Sequence, residues 1–196
     1  MIYCGLMAEG YFSCDETRAE RVKDLFDAIA PRYDLINDLQ SFWLHRHWKR
    51  RLVSLAQPTF GQRALDLCCG TGDVTFGLAA HGVEVTGLDF SQAMLECATE
   101  RNSSPKVSFQ RGDALNTGLP DNHFDIVTIA YGLRNLTDFE GGLREMYRVA
   151  KPGGRMLILD FGKPSFGPWR WFYFTYLKWM VPMFGRIFCS DAPAYA

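Results

Sequence analysis

The stretch Ala64-Leu-Asp-Leu-Cys-Cys-Gly-Thr-Gly-Asp73 decides the fold of this chain. Its short apolar run ends in glycines, which predicts a buried strand over residues 64–68 and a tight turn after it. Gly70 and Gly72 carry no Cβ, so the backbone of the turn can approach a ligand closely. A second apolar run, residues 83–89, ends in Gly87-Leu-Asp-Phe-Ser91 and places Asp89 at the end of the next strand. A glycine turn after one strand and an acid after the next favour an α/β fold that binds a nucleoside.

Helical and strand patterns alternate beyond the glycine turn. Helices are predicted over residues 73–81, 91–101 and 139–150, and further strands over residues 107–112, 124–131 and 155–161. Because the strands are almost continuously apolar, the pattern predicts a parallel sheet with helices on both faces, a doubly wound, Rossmann-like α/β fold. Its ligand site is expected beyond the carboxyl ends of the strands. Before the sheet, apolar spacing predicts a helix over residues 15–30, which Pro31 ends, and another over about residues 38–55.

Length, charge and cysteine content limit the class of protein. The 196 residues suit one domain, which we divide into an N-terminal helical cap (1–60), a ligand-binding core (61–162) and an aromatic segment (163–196). The formal net charge of −1 provides no global field that would favour nucleic acid as a partner. The six cysteines form neither a Cys-x-x-Cys pair nor a zinc spacing, which predicts reduced thiols, no metal site and a cytoplasmic location.

Polar residues at three strand ends define a candidate cofactor site. Thr75 stands where a dinucleotide motif has its third glycine, so a ligand without a pyrophosphate, such as S-adenosyl-L-methionine, fits the short turn better. Asp89 would accept hydrogen bonds from the ribose hydroxyls, and Asp113, which follows the third strand, from the adenine amino group. The alternatives are that Asp89 caps the next helix and that Asp113 only shapes a turn.

Several motifs carry a resemblance to a known family. The stretches Asp66-Leu-Cys-Cys-Gly-Thr-Gly-Asp73, Gly87-Leu-Asp-Phe-Ser91 and Gly112-Asp-Ala114 resemble the motifs of class I methyltransferases. Three further stretches resemble the methyltransferases of menaquinone and ubiquinone biosynthesis: Phe26-Asp-Ala-Ile-Ala-Pro-Arg-Tyr-Asp-Leu-Ile-Asn-Asp38, Ala130-Tyr-Gly-Leu-Arg-Asn-Leu-Thr-Asp138 and Leu143-Arg-Glu-Met-Tyr-Arg-Val-Ala-Lys-Pro-Gly-Gly154. The similarity extends from about Val22 to Ala196, and the element Gly132-Leu-Arg-Asn135 is specific to that family.

The resemblance implies a reaction and a set of cofactor contacts. Family members transfer a methyl group from S-adenosyl-L-methionine to a ring carbon of a prenylated quinol, converting demethylmenaquinol to menaquinol or acting on a benzoquinol counterpart. Ala130 stands where a serine is common. Family members also continue past the equivalent of Ala196, so we expect the last two sheet strands to be missing here. Together with the strand-end argument, the resemblance predicts these cofactor-binding residues: Asp66, Gly70, Thr71, Gly72, Asp89, Phe90, Met94, Asp113, Ala114 and Ala130.

Methylation of a ring carbon requires an electron-rich acceptor, which loss of the adjacent phenol proton provides. The predicted catalytic residues are Arg134, Asn135 and Tyr33. A base could be Tyr33, His45, Asp160 or a water held by Arg134, and Arg134 could instead stabilise the phenolate. Arg134 and Asn135 could also be loop scaffold. His45 is interpreted as a helix-surface residue, because it belongs to the basic run of residues 45–51.

The aromatic segment has two interpretations. Its rings are interrupted by Lys178, Pro182 and Gly185, so it is too broken for a transmembrane helix. It could cap the pocket and admit the prenyl chain in peripheral contact with the inner membrane, or pack on the sheet or on a second subunit in a homodimer. The aromatic residues concerned are Trp169, Trp171, Phe172, Tyr173, Phe174, Tyr176, Trp179 and Phe184.

Two other function classes stay open at this point. One is a methyltransferase of another small apolar acceptor, such as a sterol or polyketide, against which the Gly-Leu-Arg-Asn element argues. The other is a non-catalytic scaffold that binds S-adenosyl-L-methionine within a quinone-synthesis complex. Binding of the cofactor followed by turnover on demethylmenaquinol separates these classes from the expected reaction.

Overall fold

A computed structural model describes residues 18–162, 166–168, 170–171 and 174–176 of the chain. It contains a five-stranded sheet in the order β3-β2-β1-β4-β5, and every pairing in it is parallel. The order reverses direction between β1 and β4, which is the switch point at which ligands bind in such sheets. The predicted doubly wound α/β fold is therefore confirmed. The strands are β1 Arg63–Leu67, β2 Glu84–Asp89, β3 Val107–Arg111, β4 Phe124–Ala130 and β5 Ala150–Leu159.

Helices cover both faces of the sheet because side chains alternate in direction along each strand. Ala64 packs with Val53, on one helix, while its neighbour Leu65 packs with Met146 on another, so the two faces form separate apolar clusters. The helices are α1 Arg18–Ile29, α2 Tyr33–Ser41, α3 Leu44–Ala56, α4 Asp73–Ala79, α5 Gln92–Arg101 and α6 Phe139–Val149. Short 3-10 turns, Ala30–Arg32 and Leu133–Asn135, precede α2 and follow β4.

The prediction of one helix over residues 38–55 is wrong, since the chain forms α2 and α3 with a break between them. Phe42 and Trp43 adopt left-handed backbone conformations, with φ of 49° and 61°. The Trp43 N–H donates to the Asp38 carbonyl at 2.9 Å, and the Asp38 carboxylate binds the Arg46 guanidinium through two bonds of 2.6 Å. These contacts stabilise a tight reversal of the chain. The sequence does not predict it, because the stretch contains no glycine or proline. The reversal sets the face that α3 presents to the sheet.

The fifth strand begins earlier than predicted, at residue 150 rather than 155. Ala150 pairs with Phe124, whereas Arg155 pairs with Ile126, so the register shifts over the Lys-Pro-Gly-Gly stretch. The stop signal for α6 was interpreted correctly, but it lies within a strand because an irregular pairing accommodates it.

Some expectations concern residues outside those described. Residues 1–17 and most of the aromatic segment are not among the described residues. The expectation about the last two strands and the division into three parts therefore stay predictions. Within the aromatic segment, the Tyr176 hydroxyl donates to the Gln40 carbonyl at 2.6 Å, and its ring lies 6.0 Å from that of Phe42. Among the helices in the described part of the chain, none has both the length and the apolar character needed to cross a membrane.

Candidate active site

A cleft opens at the carboxyl ends of β1, β2 and β4, as the topology requires. A smaller cavity adjoins it, lined by Lys49, Asp66, Thr71 and Asp73. The two share a wall formed by Tyr33, Cys68, Gly70, Ala130 and Tyr131. Of the predicted cofactor-binding residues, the large cleft is lined by Gly70, Asp89, Phe90, Met94, Asp113, Ala114 and Ala130.

Asp89 is held in one orientation at the end of β2. Its Oδ2 accepts the Gly70 N–H at 2.8 Å and its Oδ1 accepts the Ser91 N–H at 2.9 Å. An ionised carboxylate has about four acceptor positions, so roughly two remain for ligand hydroxyls. Burial raises the pKa of Asp89, and the two N–H groups act in the opposite direction. The helix-capping role belongs to Ser91 instead, whose Oγ accepts the Met94 N–H at 3.1 Å.

Asp113 lies across the cleft in the loop after β3. Its Oδ1 accepts the Leu115 N–H at 2.8 Å, so the carboxylate shapes its own turn as the alternative interpretation proposed. The same residue also lines the cleft, and the turn fixes where its carboxylate stands. Met94 and Ala114, both buried, add apolar surface to the cleft that Asp113 and Asp89 also line. Carboxylates on largely apolar walls can bind a ligand that combines a flat ring with hydrogen-bond donors.

The two glycines of the turn, Gly70 and Gly72, have different structural roles. Gly70 has a φ of +54°, and a Cβ there would lie 3.9 Å from the Tyr33 ring, at the wall of the cleft. Gly72 has a φ of +87°, and its Cβ would lie 2.8 Å from the Phe76 ring inside the protein. Gly72 lines neither cavity, so its role is to let α4 begin close to the sheet. Of these two glycines, only Gly70 brings backbone to the cleft.

Asp66 and Thr71, both predicted to bind the cofactor, line the smaller cavity. Asp66 is buried and accepts hydrogen bonds from the Thr75 and Thr128 hydroxyls, each at 2.7 Å. Burial raises the pKa of Asp66 to about 6, although both threonines act to lower it. The Thr71 hydroxyl donates to Asp34 Oδ1 at 2.8 Å. The hydrogen bonds of both residues therefore stabilise the turn from β1 to α4.

The structure brings two of the three predicted catalytic residues to the cleft. Tyr33 lies in the wall between the cavities, and Asn135 lines the large cleft and donates to the Tyr131 carbonyl at 3.4 Å. Burial raises the pKa of Tyr33, so at neutral pH its phenol is protonated and suits a hydrogen-bond donor better than a base. Arg134 does not line either cavity and pairs with Asp160 at 2.6 Å.

The interpretation of His45 as a surface residue is wrong. Its side chain is buried on α3, and its Nδ1 lies 2.8 Å from the Ser41 hydroxyl. Burial, with the positive charge of Lys49 nearby, lowers the pKa of His45. His45 lines neither cavity, although the reversal at Phe42 and Trp43 turns this face of the basic run toward the core.

Sequence reasoning missed two residues of the site. Lys49, from the same basic run, lines the smaller cavity with its side chain only 12% exposed. Tyr131 directly follows β4 with a φ of 61°, and its hydroxyl is buried without a hydrogen-bond partner among the described residues. Its place beside Ala130 at a strand end was the available signal for Tyr131. No comparable signal existed for Lys49, since only the turn before α3 directs it inward.

Comparison with known proteins identifies the family. The model of the ubiE/COQ5 methyltransferase family matches residues 14–196. The chain belongs to the ubiE/COQ5 methyltransferase family. It is 39% identical over 187 residues to a demethylmenaquinone methyltransferase of Listeria monocytogenes, covering 92% of this chain and 79% of that protein. A demethylmenaquinone methyltransferase of Staphylococcus epidermidis is 38% identical over 185 residues, covering 92% of this chain and 77% of that one. The resemblance read from the motifs is confirmed.

Solved structures share the fold of this methyltransferase. The YcgJ protein of Bacillus subtilis is 29% identical with a TM-score of 0.57, covering 67% of this chain and 57% of that one. Phosphoethanolamine N-methyltransferase 2 of Haemonchus contortus, solved in complex with S-adenosyl-L-methionine, is 27% identical with a TM-score of 0.57, covering 66% of this chain and 32% of that one. The YcgJ protein shares the α/β fold, and the Haemonchus enzyme supports the assignment of the sheet to the methyltransferase fold.

Proposed function

We propose that this methyltransferase transfers the methyl group of S-adenosyl-L-methionine to a ring carbon of demethylmenaquinol, a prenylated naphthoquinol. The observation that carries the proposal is the cleft at the sheet switch point, with Asp89 oriented by two backbone N–H groups, in a chain of this family. The names of the relatives at 38–39% identity favour the naphthoquinol over a benzoquinol acceptor.

The residues present fit S-adenosyl-L-methionine. The remaining acceptor positions of Asp89 suit the two ribose hydroxyls, and the Asp113 carboxylate suits the adenine amino group. Met94 and Ala114 would contact the faces of the base. Ala130 offers no side-chain hydroxyl, so its contribution is limited to its backbone and its small size. When bound, this cofactor supplies a methyl group on a positively charged sulfur.

The protein's part in the reaction is to orient the acceptor and exclude water. Val22, Phe26 and Leu136 line the large cleft and provide apolar surface for a ring and the start of a prenyl chain. Tyr33, protonated at the wall between the cavities, can donate a hydrogen bond to the acceptor's phenolate oxygen. Asn135 offers its amide at the same cleft, and the Arg134 charge lies close enough to Tyr33 to lower its pKa against the effect of burial.

We propose in addition that the chain makes peripheral contact with the membrane surface through the reversal between α2 and α3. Phe42 and Trp43 are 62% and 57% exposed there, and Leu44 is half exposed beside them. Aromatic side chains of this kind suit the bilayer interface. Replacing Phe42 and Trp43 by serine should reduce cosedimentation with anionic vesicles. Unchanged sedimentation together with dissociation of a dimer would assign the surface to a second subunit instead.

Calorimetry with S-adenosyl-L-methionine tests the cofactor site. Asp89→Ala should weaken binding by about 1–3 kcal/mol, because charge-assisted hydrogen bonds to the ligand are lost. Glu84→Ala is the matched control, since Glu84 is exposed at the opposite end of the same strand. Equal affinities for the Asp89 variant and the control would refute the ribose assignment.

Turnover then tests the acceptor. Reduced demethylmenaquinone should be methylated and the oxidised quinone should not, since only the quinol can become an electron-rich phenolate. Tight cofactor binding without transfer to any quinol would refute the proposed reaction and favour a scaffold role.

A further inference from the structure

The smaller cavity beside the cleft concentrates charge at the glycine turn. Lys49 reaches it from α3, and its Nζ donates to Asp73 Oδ2 at 2.9 Å. Arg101 reaches the same carboxylate from α5, and its Nη2 donates to Asp73 Oδ1 at 2.7 Å. Arg101 also donates to the Thr71 carbonyl and to Asp34. Two cations from different helices therefore converge on Asp73.

Asp73 has a second cationic partner besides Lys49. Burial opposes ionisation of Asp73, but Lys49 and Arg101 outweigh it and lower the pKa to about 2. The Arg101 pair would remain without Lys49. A lysine held in a cavity wall at 12% exposure loses hydration, which a single ion pair compensates only in part. Its ammonium has three N–H donors, and Asp73 accepts from one of them.

The position of the two cavities indicates which ligand group the remaining N–H donors of Lys49 would contact. Gly70 and Tyr33 line both cavities, so a ligand with its nucleoside against Asp89 would extend past the glycine turn toward Lys49. The remaining end of S-adenosyl-L-methionine is an amino acid, with an ammonium and a carboxylate. Of the residues that line the smaller cavity, Lys49 alone has a cationic side chain.

We propose that Lys49 binds the carboxylate of the cofactor's amino-acid end and thereby selects ligands that carry it. The inference rests on the proposed function, since it assumes that the nucleoside occupies the large cleft. Asp73 acts as a positioning residue that directs the lysine. Thr71, tied to Asp34, and the Arg101 network hold the turn against which the amino acid lies.

A pair of ligands separates this role from a structural ion pair. Calorimetry would compare S-adenosyl-L-methionine with its decarboxylated analogue on the wild-type chain, on Lys49→Met and on Arg51→Met. Lys49→Met should lose about 10- to 100-fold in affinity for the carboxylate-bearing ligand, the usual range for a hydrogen bond to a charged group, and about twofold or less for the analogue. Arg51, exposed on the same helix, should leave both affinities at wild-type values.

Each outcome decides the matter. Equal losses for both ligands, or no loss for either, would overturn the carboxylate assignment while leaving the proposed function intact. Lys49→Gln provides a second variant if the methionine protein fails to fold, and partial recovery in Lys49→Arg would support a charge-based contact. Absence of binding to the wild-type chain would overturn the inference and the cofactor assignment together. Selective loss without any methyl transfer to a quinol would support the inference and refute the acceptor.

Discussion

Replacing Asp66 by asparagine should stabilise the protein at neutral pH, even though Asp66 belongs to the glycine-turn motif. The carboxyl group is 1% exposed, and both of its oxygens accept from threonine hydroxyls. Asparagine keeps the shape and removes the buried charge. Thr128 can accept from the new amide, because its hydroxyl already lies 3.4 Å from the Leu65 carbonyl and can donate there.

The magnitude follows from linkage. The folded-state pKa of Asp66 is about 6, against 3.8 for the ordinary carboxyl. The folded protein therefore keeps a proton that the unfolded chain releases, so stability from this group is complete below pH ~4 and is lost as the pH rises to ~6. Two pKa units correspond to about 3 kcal/mol, of which about half is lost between pH ~5 and ~8. The stability difference between variant and wild type should grow by about 1.4 kcal/mol over that interval.

Urea unfolding at several pH values within that interval measures this difference. Asp24→Asn serves as the control, since its side chain is 77% exposed, and it should follow the wild-type curve throughout. A variant that is less stable than wild type at pH ~8, or a difference independent of pH, would refute the account of Asp66 as a buried carboxyl whose ionisation opposes folding.

Three further substitutions test the packing around the site. Tyr131→Phe should raise the free energy of unfolding by about 1 kcal/mol in a denaturant titration, because it removes a buried hydroxyl without a partner among the described residues. A lower free energy of unfolding would mean that the hydroxyl is hydrogen-bonded. Ser91→Ala should cost about 1–2 kcal/mol in the same assay, since Ser91 caps α5 and donates to Asp27 of α1; no change would contradict the cap. Gly132→Ala should lower the melting temperature markedly, because a Cβ there would lie 2.4 Å from the Cys68 Cβ. Gly162→Ala is the control and should leave the melting temperature unchanged, because a Cβ there would have nothing within 4 Å. Equal effects of the two substitutions would contradict the packing argument.

The sheet was predictable because its strands carry their own signals. Apolar runs ended by glycine or aspartate placed four of the strands to within a residue or so at each end, and the serine before Met94 predicted the start of α5. The acids at the ends of β2 and β3 could be assigned to the cleft for the same reason, since parallel strands bring their carboxyl ends together.

The N-terminal helices were less predictable because tertiary contacts decide their geometry. The reversal at Phe42 and Trp43 requires left-handed conformations that local preference disfavours, and the Asp38–Arg46 pair across the turn holds them. Without the reversal, the run of residues 45–51 resembles a solvated face. With it, His45 is buried and Lys49 enters the smaller cavity.

Transfer of a labelled methyl group tests the central claim most directly. The wild-type chain would be incubated with S-adenosyl-L-methionine carrying a deuterated methyl group and with reduced demethylmenaquinone, and the product analysed by mass spectrometry and NMR. We predict a menaquinol with the label on the ring carbon, formed by the wild-type chain and strongly reduced with Asp89→Ala at limiting cofactor. Label on a ring oxygen, or no labelled quinol from a chain that binds the cofactor, would contradict the account.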